Sequence, residues 1–286
     1  MPPRLSTDYG GGITDASLSA LLELSLTLYS YRDALVLVGG WAPFFLIEEF
    51  GRGGFPHVGS IDIDIAVNPE LVRNDEYATI IDLIQERGYS MRHGMDGQPI
   101  LFSFERGITS RSDGREYLIS IDFLTCGTEE LHNHRHRKVQ PSLPARIANG
   151  CDIAFQHNFR KEIQGTLPGD GESSAQIQML DIAGCIGMKG VVLGERYKEK
   201  DAYDIFTVIS QCLESPSDVS QIVRPFLAEP SMRIGIGNIM QKFRSIEAEG
   251  PSWVGNFLYS ADEEQKRRTQ AESYVLVNQF LKNLDG

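Results

Sequence analysis

The chain has 286 residues, 41% apolar, 9% aromatic and 23% charged, which are ordinary globular figures and enough for one large domain or two modest ones. Collagen-like, coiled-coil and wholly disordered architectures are excluded. With 27 basic against 39 acidic residues the net charge is −12, so the chain repels polyphosphate at long range, and contact with nucleic acid requires a local basic patch or a divalent metal. Cys126, Cys151, Cys185 and Cys212 lie far apart with no CxxC pair, against both a zinc ribbon and a disulfide framework. The start MPPRLSTDYGGG lacks the basic-then-apolar order of a signal peptide. The most apolar stretch, 34–47, is shorter than the roughly 20 residues of a membrane span and is interrupted by Gly39, Gly40 and Pro43. A soluble, cytoplasmic protein with no membrane partner is expected.

SLSALLELSLTLYSY has apolar residues at helical spacing and predicts a first helix near 17–31. ALVLV (34–38) is a short β-branched run ended by Gly39-Gly40, and WAPFFLIEEF (41–50) reads as a helix with Pro43 in its first turn. After the loop GRGGFPHVG, SIDIDIAV (60–67) alternates as a strand and is closed by Asn68-Pro69. ELVRNDEYATIIDLIQERG (70–88) predicts an amphipathic helix ending at Gly88, and PILFSFE (99–105) and EYLISIDFLT (116–125) predict strands. The stretch 126–150 reads as loop, basic at HNHRHRK, and CDIAFQHNF (151–159) as one more strand. From Ala175 onward the runs IQMLDIAGCIGMKGVVL, KDAYDIFTVISQCL and QAESYVLVNQFLKNL predict helices. A boundary at the 168–171 turn then divides the chain into an α+β lobe (1–168), a mixed sheet with helices, and a helical C-terminal lobe (169–286).

SIDIDIAV carries the most chemistry. On a strand Asp62 and Asp64 share one face and Ile61, Ile63 and Ile65 the other, with the two aspartate Cα atoms roughly 7 Å apart. Aspartate is depleted in strands, and two like charges about 4 Å apart at an effective dielectric near 20 repel by roughly 4 kcal/mol. A divalent cation such as Mg²⁺ would relieve that repulsion; an edge strand with its acidic face in water is the alternative. Asp122 sits between Ile121 and Phe123 in the second acidic strand, where a carboxylate is costly unless paired, metal-bound or at a solvent-facing strand end. If the two strands are neighbours, three carboxylates converge and can hold two metals roughly 3.5 to 4 Å apart, the arrangement used in phosphoryl and nucleotidyl transfer. Gly39-Gly40 between strand and helix lets backbone approach a phosphate at a helix N-terminus. No GxxxxGK[ST] or GxGxxG pattern occurs. His132, His134 and His136, interleaved with Arg135, Arg137 and Lys138, read as a cationic loop rather than a zinc site, either solvated or touching RNA phosphates.

The order strand-GG-helix, SxDxD, then a separate strand aspartate resembles the nucleotidyltransferase superfamily that includes DNA polymerase β. MKGVVLGERYKEKDAYDIFTVI (188–209) is similar to the Lys…Arg…(Lys/Arg)-Asp-x-x-Asp signature of AbiEii-type nucleotidyltransferases, toxin components of bacterial toxin–antitoxin and abortive-infection systems. The resemblance implies a nucleotide-binding turn at Gly39 and Gly40 with Ser60 before the acidic strand, and metal ligation by Asp62, Asp64 and Asp122, the last also orienting or deprotonating an acceptor hydroxyl. It implies that Lys189 reaches the triphosphate, that Asp201 is the second-lobe acid, and that Arg196 and Asp204 support them. The implied activity is transfer of a nucleoside monophosphate from an NTP, with two Mg²⁺ (or Mn²⁺) ions, to an RNA acceptor such as a tRNA 3′ end, with a cognate antitoxin as partner. The chain departs from the superfamily in carrying Gly40-Trp41 where Gly-Ser is frequent, and Gly190 and Gly194 lower helix propensity beside Lys189. A small acceptor of the aminoglycoside type, or a degenerate nucleotide-binding regulatory module, are the alternatives.

Overall fold

The computed structural model describes residues 5–284 except 54–55, 73–77, 129–130, 132–133 and 170. The chain forms two compact units. A sheet unit comprises 10–41 and 60–180, and a helical unit comprises 1–9, 42–59 and 181–286.

In the sheet unit, α1 (Gly11–Thr27) starts earlier than the periodicity suggests and buries Ala20, Leu21, Leu22 and Leu24. β1 (Leu35–Val38) is buried at all four positions, as an apolar run in a central strand must be. The Gly39-Gly40 turn leads into α2 (Trp41–Phe50), and the Trp41 indole donates to Ser17 Oγ of α1 at 3.1 Å. Then come β2 (Ile63–Val67), α3 (Ile80–Glu86), β3 (Ser90–His93), β4 (Pro99–Thr109) and β5 (Glu116–Thr125). α3 is shorter than the helix expected over 70–88: residues 70–72 and 78–79 are not helical, Thr79 caps the helix by accepting from Asp82 N at 3.2 Å, and residues 73–77 lie outside the described residues. β6 (His136–Gln140) and β7 (Leu143–Ile147) follow, then α4 (Cys151–Gln156), β8 (Asn158–Thr166) and β9 (Glu172–Leu180).

The described strands form one mixed sheet in the order β3-β4-β5-β2-β1-β9-β8, with β7 joined to β5 and β6 to β7. β2 and β5 run parallel as direct neighbours, and β1 lies antiparallel to β2 and parallel to β9. Three expectations are corrected. CDIAFQ is a helix; Gly150 in the left-handed region (φ 74) opens it, and only Asn158 onward is strand. Residues 136–147 form an antiparallel hairpin, not a loop. IQML belongs to β9, because Ala175, Ile177 and Met179 alternate inward along a strand paired with β8 from Asn158↔Leu180 to Thr166↔Glu172. The 168–171 turn is therefore the tip of a hairpin inside the sheet, and the helical unit resumes at Asp181, which caps the next helix by accepting from Gly184 N at 2.7 Å.

The helical unit contains α5 (Ile182–Glu195), α6 (Glu199–Gln211), α7 (Pro216–Val223), α8 (Pro230–Lys242), α9 (Glu249–Tyr259) and α10 (Glu263–Leu284). α5 forms despite its glycines, which are what its packing against α8 requires. A Cβ on Gly190 would strike the Gly235 carbonyl, one on Gly235 would strike the Gly187 carbonyl, and one on Gly194 would strike Asn238. No helix among the described residues is long and apolar enough to cross a membrane.

Candidate active site

The acidic strands meet in the middle of the sheet. Register places Val38, Asp64, Asp122 and Ser103 in one row across β1, β2, β5 and β4, with Asp64 directly opposite Asp122. Alternation puts Ser120 with Asp122 and Glu105 with Ser103, and Asp62, in the bend just before β2, is joined to this face by the hydrogen bond that it accepts from Ser120. Ile63, Ile121 and Phe123 fill the opposite face and are fully buried. The face is thus acidic because its reverse side is committed to the core.

Two serines hold the carboxylates. Ser103 Oγ, itself buried, donates to Asp122 Oδ1 at 2.5 Å, and Ser120 Oγ donates to Asp62 Oδ1 at 2.9 Å. Burial, then the neighbouring Asp64 charge, pushes the Asp122 carboxyl up to about 6; Ser103 and Arg146 act in the opposite sense, and Asp62 adds to the rise. Gly39 closes one side. Its φ of +70 is the left-handed region, and a Cβ there would collide with the Asp64 carboxylate, so backbone is the only material that fits beside that oxygen. Gly40 and Ser60 are buried.

The donor set, carboxylate oxygens in neighbouring register, is the chemistry that Mg²⁺ or Mn²⁺ selects. Among the described residues no three His, Cys, Asp or Glu side chains are gathered round one point, so the fit rests on the Asp64–Asp122 pair with Asp62 two residues along the same face. Asp62 has its second oxygen clear of Ser120, and Asp122 its second oxygen clear of Ser103.

The second group of expected residues lies in the helical unit. Lys189 Nζ, on α5, is buried between Asp201 (3.1 Å) and Asp204 (2.6 Å) of α6. Arg196 Nε pairs with Asp201 at 2.9 Å, and Lys200 Nζ with Asp204 at 2.8 Å. His57 Nδ1 accepts from Gly59 N, so its Nε2–H donates to Asp204 Oδ1 at 3.1 Å. Burial would lower Lys189, but Asp204 and Asp201 outweigh it and hold the ammonium above its ordinary range. Burial would raise Asp204, but Lys189 and Lys200 hold it far below the usual carboxylate range. Burial, more than Asp204 can offset, brings Lys200 down to about 8. The i,i+4 pair Lys200/Asp204 is therefore interior, and His57 is one of its anchors.

Sequence reasoning also passed over Ser103, Ser120 and Glu105. Their signal is the alternation itself, since FSFE and ISIDF place a polar residue at every second position between large apolar ones. Of the histidine cluster, His132 lies outside the described residues, His134 precedes β6, and His136 opens it opposite Arg146.

No protein-family model matches this chain. It is similar to the homeobox protein unc-39 of Caenorhabditis elegans, 23% identical over 207 residues, which is 71% of this chain but 57% of that protein. It is also similar to the crystal structure of an antigenic nucleotidyltransferase-like protein from Paracoccidioides brasiliensis, with a TM-score of 0.44, 14% identity, and coverage of 87% of this chain and 94% of that one.

Proposed function

We propose that the protein is a metal-dependent nucleotidyltransferase that transfers a nucleoside monophosphate from an NTP to the hydroxyl of an acceptor. The observation that carries this is the register pairing of Asp64 with Asp122 on adjacent parallel strands, with Asp62 on the same face and Gly39 backbone closing its edge. In the step, the acceptor oxygen bonds to the α-phosphorus, the bond from that phosphorus to the bridging oxygen breaks, pyrophosphate leaves, and the hydroxyl proton passes to a carboxylate. Asp122 is the carboxylate to which the resemblance gives that last role, and it lies directly opposite Asp64 in the row. Asp62, Asp64 and Asp122 would hold the divalent ions, whose charge offsets that of the phosphates.

For Lys189, Arg196 and Asp201 the resemblance supports a part in triphosphate binding, and the buried pairing of Lys189 with both aspartates supports a part in holding α5 to α6. The two are separable, since Lys189→Met keeps the stem, and a KM for NTP that rises while the melting temperature is held by added NTP favours the former. The acceptor is inferred to be RNA, with a toxin role and an antitoxin partner resting on the 188–209 signature alone. Incubating Asp64→Asn and Asp122→Asn with each labelled NTP, Mg²⁺ and total RNA tests the core reading. Transfer should fall at least about a hundredfold in both. Undiminished transfer in either variant, or modification of an aminoglycoside but never of RNA by the unaltered protein, overturns the corresponding part.

A further inference from the structure

Beside the carboxylate row, within the sheet unit, the β6–β7 hairpin continues the sheet where β7 pairs with β5 at Leu124↔Arg146. His136 and Arg146 are cross-strand partners, and Lys138, two residues from His136, shares their face. Arg137 points the other way, to Glu70 at 3.1 Å. The Arg146 guanidinium makes no hydrogen bond or ion pair among the described residues, although the chain carries an acidic excess of 12 charges. Its guanidinium carbon instead lies 5.6 Å from the centre of the Phe102 ring, and the Phe102 and His136 rings are 5.5 Å apart at 33°. Phe102, His136 and Arg146 are half-buried and Lys138 is exposed.

We propose that Phe102, His136, Lys138 and Arg146 form a docking platform for the single-stranded 3′ end of a nucleic-acid acceptor, one base stacking on the aromatic pair and the adjoining phosphates lying on Arg146 and Lys138. This rests on the nucleotidyltransferase reading, because Arg146 lies opposite Leu124, which shares the face of Asp122 two residues along β5. The chemistry matches single strands: π-faces take any base, and guanidinium and ammonium groups without carboxylate partners take phosphates. A small cationic acceptor such as an aminoglycoside would be repelled by the same two cations. The platform also revises which residues of the basic stretch matter, since Arg137 is committed to Glu70 while Arg146, from outside that stretch, is not.

Fluorescence anisotropy with a short labelled single-stranded oligoribonucleotide, in the absence of NTP, reads the platform separately from the chemistry. Phe102→Leu, which keeps apolar bulk, and Arg146→Gln should each weaken binding by about tenfold. Exposed Lys138→Gln should make the salt dependence shallower, by about 0.7 in the log–log slope for one lost phosphate contact. A deoxyribonucleotide of the same sequence tells which sugar is preferred, and binding of either supports the platform. Absence of binding to both, or binding unchanged in Phe102→Leu and Arg146→Gln, overturns it. If these variants weaken binding but the unaltered protein transfers no nucleotide to any acceptor, the platform stands and the catalytic reading falls. If transfer to RNA proceeds and is insensitive to them, the reverse holds.

Discussion

At the scale of single residues, the carboxylate face is a case of charges held against their preference. Ser103 and Ser120 each donate a hydrogen bond to one carboxylate oxygen, yet Asp122 remains raised to about 6 by burial and by Asp64. Asp64→Asn, which removes one of the repelling charges while keeping the shape, should raise the melting temperature of the metal-free protein, by an amount corresponding to roughly 1 kcal/mol. A thermal melt in excess chelator checks this, and a lower melting temperature would mean that Asp64 is stabilised by its surroundings. Gly39→Ala should have the opposite effect, costing about 1–2 kcal/mol for the left-handed backbone alone and more for the collision with Asp64, read as a lower denaturant midpoint.

His57 offers a third measurement. Burial lowers it from 6.5 to about 4 against the pull of Asp204, so the unfolded chain binds this proton more readily than the folded one. Stability from the neutral ring is intact above pH 6.5 and is lost progressively down to pH 4, a total on the order of 3 kcal/mol. Asp122, whose carboxyl is raised, opposes this trend in the same window. The clean readout is the difference between the wild-type protein and His57→Gln, which should narrow as pH falls from 6.5 to 4. Much of this scale was legible in the sequence: Asp62, Asp64 and Asp122 stand out because strand alternation fixes their face whatever the topology. Their proximity was not, since Asp64↔Asp122 pairing depends on β5 returning beside β2, a non-local choice. Nor was the burial of Lys200, because an i,i+4 ion pair reads alike on a wet and a dry helix face.

At the scale of elements, failures of the sequence reading have local causes. IQML runs without a breaker into α5, so a helical run was extended backwards over a strand whose own period, Ala175-Ile177-Met179, is 2. CDIAFQ has six residues, too few for periodicity to separate helix from strand. HRKVQ is short and mostly polar, and LPARI, although Leu143 and Ala145 alternate inward, is only five residues long with Pro144 inside it. The glycines of α5 teach the converse: propensity counts them against the helix, but packing requires them. Gly190→Ala should cost about 2–3 kcal/mol, because the added methyl meets the backbone of α8 at Gly235, which cannot rotate away. Gly237→Ala, on the same α8 but with nothing within 4 Å of its Cβ position, should instead stabilise by roughly 0.5–1 kcal/mol. Denaturant midpoints of the two single variants decide the matter, and equal effects would mean that the α5–α8 contact is looser than the glycine positions imply.

At the scale of the whole chain, the units are not consecutive in sequence. Residues 42–59 leave the sheet unit and belong to the helical one, where Arg52 donates to the Ser210 carbonyl at 2.7 Å and the Glu214 carbonyl at 3.1 Å, and His57 reaches Asp204. β9 returns the chain to the sheet after the 168–171 turn, pairing with β8 on one side and β1 on the other. A cut at 168 therefore removes a strand between two others and exposes unpaired edges on both, each a row of unsatisfied backbone groups. A cut at 180 leaves every described strand paired as in the full chain. Fragment 1–168 should show no cooperative thermal transition, whereas fragment 1–180 should retain one at a lower temperature than the intact protein. Fragment 181–286, deprived of Arg52 and His57, should melt without cooperativity, since the buried Asp204 would then lack one of its three donors and the α6 carbonyl of Ser210 its guanidinium. Circular dichroism of the three fragments tests the division, and identical melts for 1–168 and 1–180 would show that β9 is an appendage of the sheet rather than part of its middle.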